Sequence, residues 1–192
     1  MIDCSALSFS YGKKVIFDRF SFRLADGEIL ALMGASGVGK TTLLRLLAGL
    51  EKPSKDSVLH STHKKIAYVF QEPRLFPWMT VRQNLRAVME KASDCDAKID
   101  NVLQKVGLSG SAEQYPDELS GGMKSRVALA RALLVDADLY LLDEPFAALD
   151  EALRQELGAL LRAHLKARGA SAVLVTHQAS DANAIADRVM NL

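Results

Sequence analysis

The stretch Gly34-Ala35-Ser36-Gly37-Val38-Gly39-Lys40-Thr41 constrains this chain more than any other. Glycines at this spacing let backbone N–H groups close around a phosphate, and the lysine and threonine that follow add a cation and a hydroxyl. The loop needs a strand before it and a helix after it. Glu28–Met33 is a short apolar run that reads as a buried strand. Leu43, Leu44, Leu46, Leu47 and Leu50 then follow helical spacing, and Pro53 marks the exit. A strand, loop and helix in that order imply an α/β fold with a parallel sheet and a ligand at the carboxyl ends of its strands.

The rest of the chain extends this pattern. Ile2–Phe9 and Phe20–Leu24 alternate as strands do, around a polar turn at Tyr11-Gly12-Lys13-Lys14. Ile66–Phe70, Leu139–Leu142 and Ala172–Thr176 read as further core strands, and Asp150–Arg168 as a long helix. Thr80-Val81-Arg82-Gln83 has the form of a capping box, predicting a helix to about Lys91. A second helix is expected over Ala97–Val106, and a third, capped by Ser120, through Val127, Leu129, Ala130, Leu133 and Leu134. The chain reads as one domain over 1–192. Its α/β core is expected over about 1–72 and 135–192, with a helical subdomain inserted over about 73–134.

Composition narrows the function classes. The chain has 192 residues, 49% hydrophobic and 24% charged, an ordinary globular balance. A net charge of +1 gives no broad pull toward nucleic acid or anionic lipid. Cys4 and Cys95 lie far apart with no CxxC, which reads as two reduced thiols in a cytoplasmic protein. No apolar run is long enough to span a membrane, and the N-terminus does not have the form of a signal peptide. Work at a membrane therefore calls for docking on another chain.

Two further motifs carry chemistry. Leu139-Tyr140-Leu141-Leu142-Asp143-Glu144 is an apolar strand ending in two acids, which suits Asp143 to hold Mg²⁺ and Glu144 to position or deprotonate a water. Leu119-Ser120-Gly121-Gly122 offers a hydroxyl and backbone N–H groups at a helix start, an anion site. Gln71 and His177 each end a strand. Alone, the first reads equally as a loop amide and the second as a structural histidine.

Taken together and in this order, these motifs resemble the nucleotide-binding subunit of an ABC (ATP-binding cassette) transporter, from about Tyr11 to the last residues. The resemblance implies a P-loop NTPase core with a mostly parallel sheet, N-terminal antiparallel strands and the inserted helical subdomain. It implies ATP and Mg²⁺ as ligands. Gly34, Ala35, Ser36, Gly37, Val38, Gly39, Lys40, Thr41 and Thr42 would bind the phosphates, with Thr41, Gln71 and Asp143 on the metal. Glu144, His177, Gln71 and Lys40 would carry the hydrolysis. Tyr11 would stack on adenine; Phe9 and Phe17 are close in sequence, and a core role for one of these rings is the alternative. Ser120, Gly121 and Gly122 would face the γ-phosphate held by a second copy, and Ala147-Ala148-Leu149-Asp150 would cross that interface, with Asp150 near the nucleotide. The resemblance thus implies a head-to-tail partner, most simply a homodimer, and an integral membrane permease. It places the chain on the inner face of the cell membrane and implies no nucleic-acid partner.

The sequence departs from the family at three places. Met123 replaces the usual glutamine after Ser-Gly-Gly. Methionine cannot return a hydrogen bond to the Ser120 N–H, a loss worth roughly 1 kcal/mol by analogy with other caps. Activity is expected to survive it. Glu51–Lys65 is short for the family's antiparallel arm, and its His60 and His63 read as solvated surface rather than metal ligands. No C-terminal regulatory domain is expected after His177. Phe76-Pro77-Trp78 forms either a docking patch for the permease or packing for the helical subdomain. The segment resembles importers of the nitrate, sulfonate and taurine type. An exporter, a lipoprotein-release system or a non-transport ABC ATPase is the alternative. A chromosome-structure ATPase would need a long coiled coil between Gly34 and Ser120, for which there is no room.

Overall fold

The computed structural model describes residues 1–54, 56–90 and 94–192. Five parallel strands form the central sheet. They are β3 (Ile29–Met33), β5 (Ile66–Val69), β6 (Leu139–Asp143), β7 (Ser171–Val175) and β8 (Arg188–Asn191), in the order β5-β6-β7-β3-β8. All five residues of β6 and all five of β7 are buried, as the apolar runs in the sequence require of strands covered on both faces. β1 (Ile2–Tyr11) and β2 (Lys14–Leu24) make an antiparallel hairpin, and β4 (Val58–Ser61) pairs with the other edge of β1. The fold class is the α/β class expected.

Two apolar clusters hold the layers together. Leu43, Leu44, Leu46 and Leu47 of α1 (Lys40–Leu47) pack with Leu30, Leu32 and Val173 on one face of the parallel sheet, and the hairpin residues Leu7, Phe17 and Leu24 close the same cluster. On the other face, Leu157, Leu161 and Leu165 of α5 (Glu151–Arg168) pack with Tyr140, Leu142 and Leu174. Between β5 and β6 the described residues form α2 (Val81–Arg86), α3 (Cys95–Lys105), a 3₁₀ turn at Pro116–Glu118 and α4 (Gly121–Leu134).

Several boundaries differ from the sequence reading. β2 begins at Lys14, not Phe20. Its register against β1 shifts repeatedly, and Ala6 and Arg19 take positive φ (53° and 50°), so bulges hide its alternation. Within Glu51–Lys65, read as short, lies β4, a four-residue edge strand too polar to read as one. α2 keeps both bonds of its capping box, Gln83 N to Thr80 Oγ1 and Thr80 N to Gln83 Oε1, but ends at Arg86. The expected end at Lys91 lies outside the described residues. The helix expected over Ala97–Val106 starts at Cys95. α6 (Ala179–Ile185) and β8 follow β7 and were not read from the sequence at all. Cys4 and Cys95 are free and buried.

Candidate functional site

The glycine loop leaves the carboxyl end of β3 and enters α1. Gly39, the N-cap residue of α1, has φ 116° and supplies no side-chain cap, so the first N–H groups of α1 stay available to an anion. The close packing leaves glycine no substitute here. A Cβ on Gly39 would stand 2.7 Å from Ile16 Cγ2 and 2.9 Å from Phe17 Cζ. A Cβ on Gly34 would stand 2.7 Å from the Leu192 carbonyl oxygen. Lys40 is 6% exposed, and its ammonium donates to the carbonyls of Gly34 (2.8 Å) and Ala35 (2.9 Å). The cation is thereby fixed across the mouth of the loop.

A cavity of about 350 Å³ opens over this loop. Ser36, Gly37, Gly39, Lys40, Thr41 and Thr42 form its floor, and Gln71, Glu144, His177 and Tyr11 its walls. These residues come from five separate parts of the chain: the order of the parallel sheet gathers the loop, Gln71, Glu144 and His177, and the hairpin adds Tyr11. β6 and β7 are neighbours, so Glu144, just after β6, meets His177, just after β7. The Glu144 N–H donates to the Val175 carbonyl at 3.0 Å, and His177 Nε2 lies 2.7 Å from Glu144 Oε1. Glu144 holds a positive φ of 49°, a conformation uncommon outside glycine.

Asp143 ends β6 with 2% exposure. Burial raises its carboxyl pKa, and the Thr41 hydroxyl beside it pulls the other way; the charge of Glu144 raises it further, while Lys40 and His177 lower it. Its Oδ1 is buried with no hydrogen-bond partner. A carboxylate oxygen held dry without a partner costs free energy unless something binds it. Thr41, Gln71 and Asp143 line one further cavity of about 230 Å³ directly behind the loop. A hydroxyl, an amide oxygen and a carboxylate are hard oxygen donors of the kind Mg²⁺ takes, and Mg²⁺ needs few protein ligands. No three His, Cys, Asp or Glu residues gather as a metal cage among the described residues.

Tyr11 stands at the end of β1 with 44% exposure. Its ring meets Phe9 edge-on at 4.9 Å, and its hydroxyl donates to Glu51 at 3.1 Å. Phe9 and Phe17 are buried in the core, leaving Tyr11 as the ring on the cavity wall. Lys14 and Ile16, on the same wall, were not foreseen; their strand was not recognised as starting at Lys14.

The remaining candidates lie elsewhere. Ser120 caps α4 and accepts from the Met123 N–H at 3.2 Å, so Met123 keeps one half of the capping box and loses the other. The Met123 side chain packs against the core instead. Ser120, Gly121, Gly122 and Asp150 are absent from the walls of the nucleotide-sized cavity. Asp150 caps α5 through the Leu153 N–H at 3.0 Å. A Cβ on Gly122 would lie 3.0 Å from the Ala148 carbonyl, which packs the start of α4 against the loop before α5.

Phe76 (39%) and Trp78 (69%) are both exposed, their rings 5.7 Å apart. The fully buried Asn84 ties their loop down, accepting from the Phe76 N–H at 2.8 Å and donating to the Phe76 and Met79 carbonyls. Arg131 of α4 donates to the carbonyls of Pro73 and Arg74, joining the segment after Gln71 to the helix that Ser120 begins. Neither residue was singled out in the sequence. His60 is exposed as expected, but the His63 side chain is not; it is 7% exposed beside the N-terminal amine and Asp26.

The ABC transporter family profile matches residues 17–147, well over half of the chain. Among curated proteins, the sulfate/thiosulfate import ATP-binding protein of Mycobacterium bovis is 42% identical over 192 aligned residues, covering 93% of this chain and 55% of that protein. The aliphatic sulfonates import ATP-binding protein 2 of Burkholderia cenocepacia is 39% identical, covering 95% of this chain and 70% of that protein. The chain thus spans about half the length of the first of these relatives. Among solved structures, the dimeric bacterial ABC transporter cassette MJ0796 superimposes with a TM-score of 0.90 at 25% identity, covering 100% of this chain and 94% of that one. Its post-hydrolysis dimer bound to ADP and phosphate gives 0.86. Profile, relatives and superposition agree with the geometry around Lys40, Asp143, Glu144 and His177: the chain belongs to the ABC transporter family.

Proposed function

We propose that this chain binds and hydrolyses ATP and so drives solute import through a partner permease. The observation that carries the reading is the pair Glu144 Oε1–His177 Nε2 at 2.7 Å, set on the wall of the cavity that Lys40 and the glycine loop floor. Lys40 and the free N–H groups of α1 bind and orient the phosphates. Tyr11 stacks on the base. Thr41, Asp143 and Gln71 would hold Mg²⁺, which would neutralise phosphate charge. Glu144 accepts the proton of the attacking water, and His177 holds Glu144 and the water in line. The importer assignment is supported by the two relatives named as import ATP-binding proteins.

Ser120, Gly121, Gly122 and Asp150 serve the nucleotide of a second copy, head to tail. Their absence from the chain's own cavity and the dimeric cassette neighbour support this. The described helices within 73–134 act as a subdomain that moves with Ser120, Gly121 and Gly122, and Phe76 and Trp78 present the docking surface to the permease. The chain works as a peripheral subunit docked on the permease at the inner face of the cell membrane; among the described residues no helix is long and apolar enough to cross a membrane.

Steady-state phosphate release from Mg-ATP tests the reading. The parent should turn ATP over, and Glu144→Gln should lose about 100-fold or more in kcat, the scale expected of a lost general base, with nucleotide affinity within a few-fold. Equal turnover in parent and variant would remove Glu144 from the mechanism.

A further inference from the structure

Behind the Glu144–His177 pair lies a small cavity of about 110 Å³ that shares those two residues with the phosphate cavity and is otherwise walled by groups of neither the phosphate site nor the metal site, Arg154, Thr176, Gln178 and Asp181 among them. Arg154 of α5 and Asp181 of α6 face each other across it, 13% and 7% exposed. Each is tied to a different loop. Arg154 Nη2 donates to the Leu149 carbonyl at 2.9 Å, within the loop Ala147–Asp150, and Nη1 reaches Glu151 at 3.3 Å. Asp181 Oδ2 accepts from the Thr176 hydroxyl at 3.1 Å, and Thr176 Oγ1 in turn accepts from the Gln178 N–H at 3.1 Å. Thr176 and Gln178 flank His177, so Asp181 fixes the Thr176 hydroxyl that in turn holds the backbone N–H just after that histidine. The last link is open: Arg154 Nε lies 3.9 Å from Asp181 Oδ1 and is buried with no hydrogen-bond partner.

A buried guanidinium N–H left short of a buried carboxylate is an expensive arrangement, and it is relieved by a small movement of either loop. We propose that Arg154 and Asp181 are positioning residues that couple the Ala147–Asp150 loop to His177, setting the histidine's place over Glu144 according to where that loop sits. This rests on the reading above, in which Glu144 and His177 carry hydrolysis and the Ala147–Asp150 loop meets a second copy. A shift of Leu149 moves Arg154 with it. Arg154 closes on Asp181, and the Thr176–Gln178 link passes the displacement to the imidazole. The loop that senses the second copy therefore adjusts a group on the reacting face of its own chain.

The test is a mutational cycle on the full chain with Mg-ATP. Arg154→Met and Asp181→Asn should each lower kcat about tenfold, the scale of a sub-ångström misplacement, with KM and nucleotide affinity within twofold. The double variant should lose no more than the worse single one, because residues acting as a unit are not additive. Adding Arg154→Met to His177→Ala should cost nothing further. Arg154→Met should also shift the His177 ring resonances in the NMR spectrum without nucleotide, a readout independent of turnover. If Arg154→Met fails to fold, the near-isosteric Asp181→Asn carries the same test. Equal losses in the His177→Ala and parent backgrounds, or unshifted His177 resonances, would overturn the coupling. Unimpaired turnover in His177→Ala and Glu144→Gln would instead overturn the reading on which it rests.

Discussion

At the residue scale the site depends on atoms that cannot be exchanged. Gly39 combines φ 116° with neighbours that leave no room for a Cβ. Gly39→Ala should cost about 1–3 kcal/mol in strain and tilt α1 away from the loop; thermal unfolding and titration with an ATP analogue would show lower stability and weaker binding together. Binding at parental affinity would mean that the loop tolerates a wider mouth. Lys40, Thr41, Asp143, Glu144 and His177 were all legible in the sequence, because each sits beside an apolar strand or a glycine loop that marks its place. Arg154, Asp181, Asn84 and Arg131 were not. Arg131 bonds carbonyls 57 and 58 residues away, and the other three bond mainly loop carbonyls and hydroxyls at irregular short spacings, so no periodic pattern points to these bonds.

At the element scale, β6 and α5 meet through a polar contact within an apolar layer. The Tyr140 hydroxyl donates to the Val135 carbonyl and lies 3.2 Å from His164 Nε2, while Arg168 Nη1 lies 3.1 Å from His164 Nδ1. Burial, together with the nearby charges of Arg168 and Lys105, lowers the His164 pKa from 6.5 to about 4. The unfolded chain takes up this proton near pH 6.5 and the folded chain only near 4. The unfolded state therefore binds more protons in that window, and stability falls as pH drops through it. Denaturant unfolding at pH 7 and pH 5 should show a loss from this group of about 1 kcal/mol, allowing for the solvent that reaches the ring. His164→Phe should flatten that part of the slope. An unchanged slope would place the titration elsewhere. The same scale explains which elements escaped the sequence. Four of the five parallel strands, β3, β5, β6 and β7, are apolar runs legible in the sequence. β4 is short, polar and on an edge, and β8 is largely exposed, so neither carries a buried pattern. β2 was shortened because its bulges break the alternation.

At the scale of the whole molecule, the described residues form a cavity over the glycine loop, and Ser120, Gly121 and Gly122, proposed to meet a second copy's phosphate, are not among its walls. Ser120, Gly121 and Gly122 begin α4, and Gly122 packs against the Ala148 carbonyl of the loop that leads to Asp150. Gly122→Ala should push these two segments apart by a few tenths of an ångström, weakening any ATP-driven association while leaving nucleotide binding by the single chain intact. Sizing and a binding titration on the same sample separate the two effects. Nothing in composition or periodicity points Ser120, Gly121 and Gly122 at a second copy; that proposal is supported by their absence from the chain's own cavity and by the dimeric cassette neighbour. The central claim is that ATP joins two copies across these groups and that Glu144 ends the union by hydrolysis. Light scattering of the Glu144→Gln chain with and without saturating Mg-ATP tests it most directly. The account predicts a monomer that becomes a dimer with nucleotide, while the parent returns to monomer as ATP is consumed. A Glu144→Gln chain that stays monomeric with ATP demonstrably bound would contradict it.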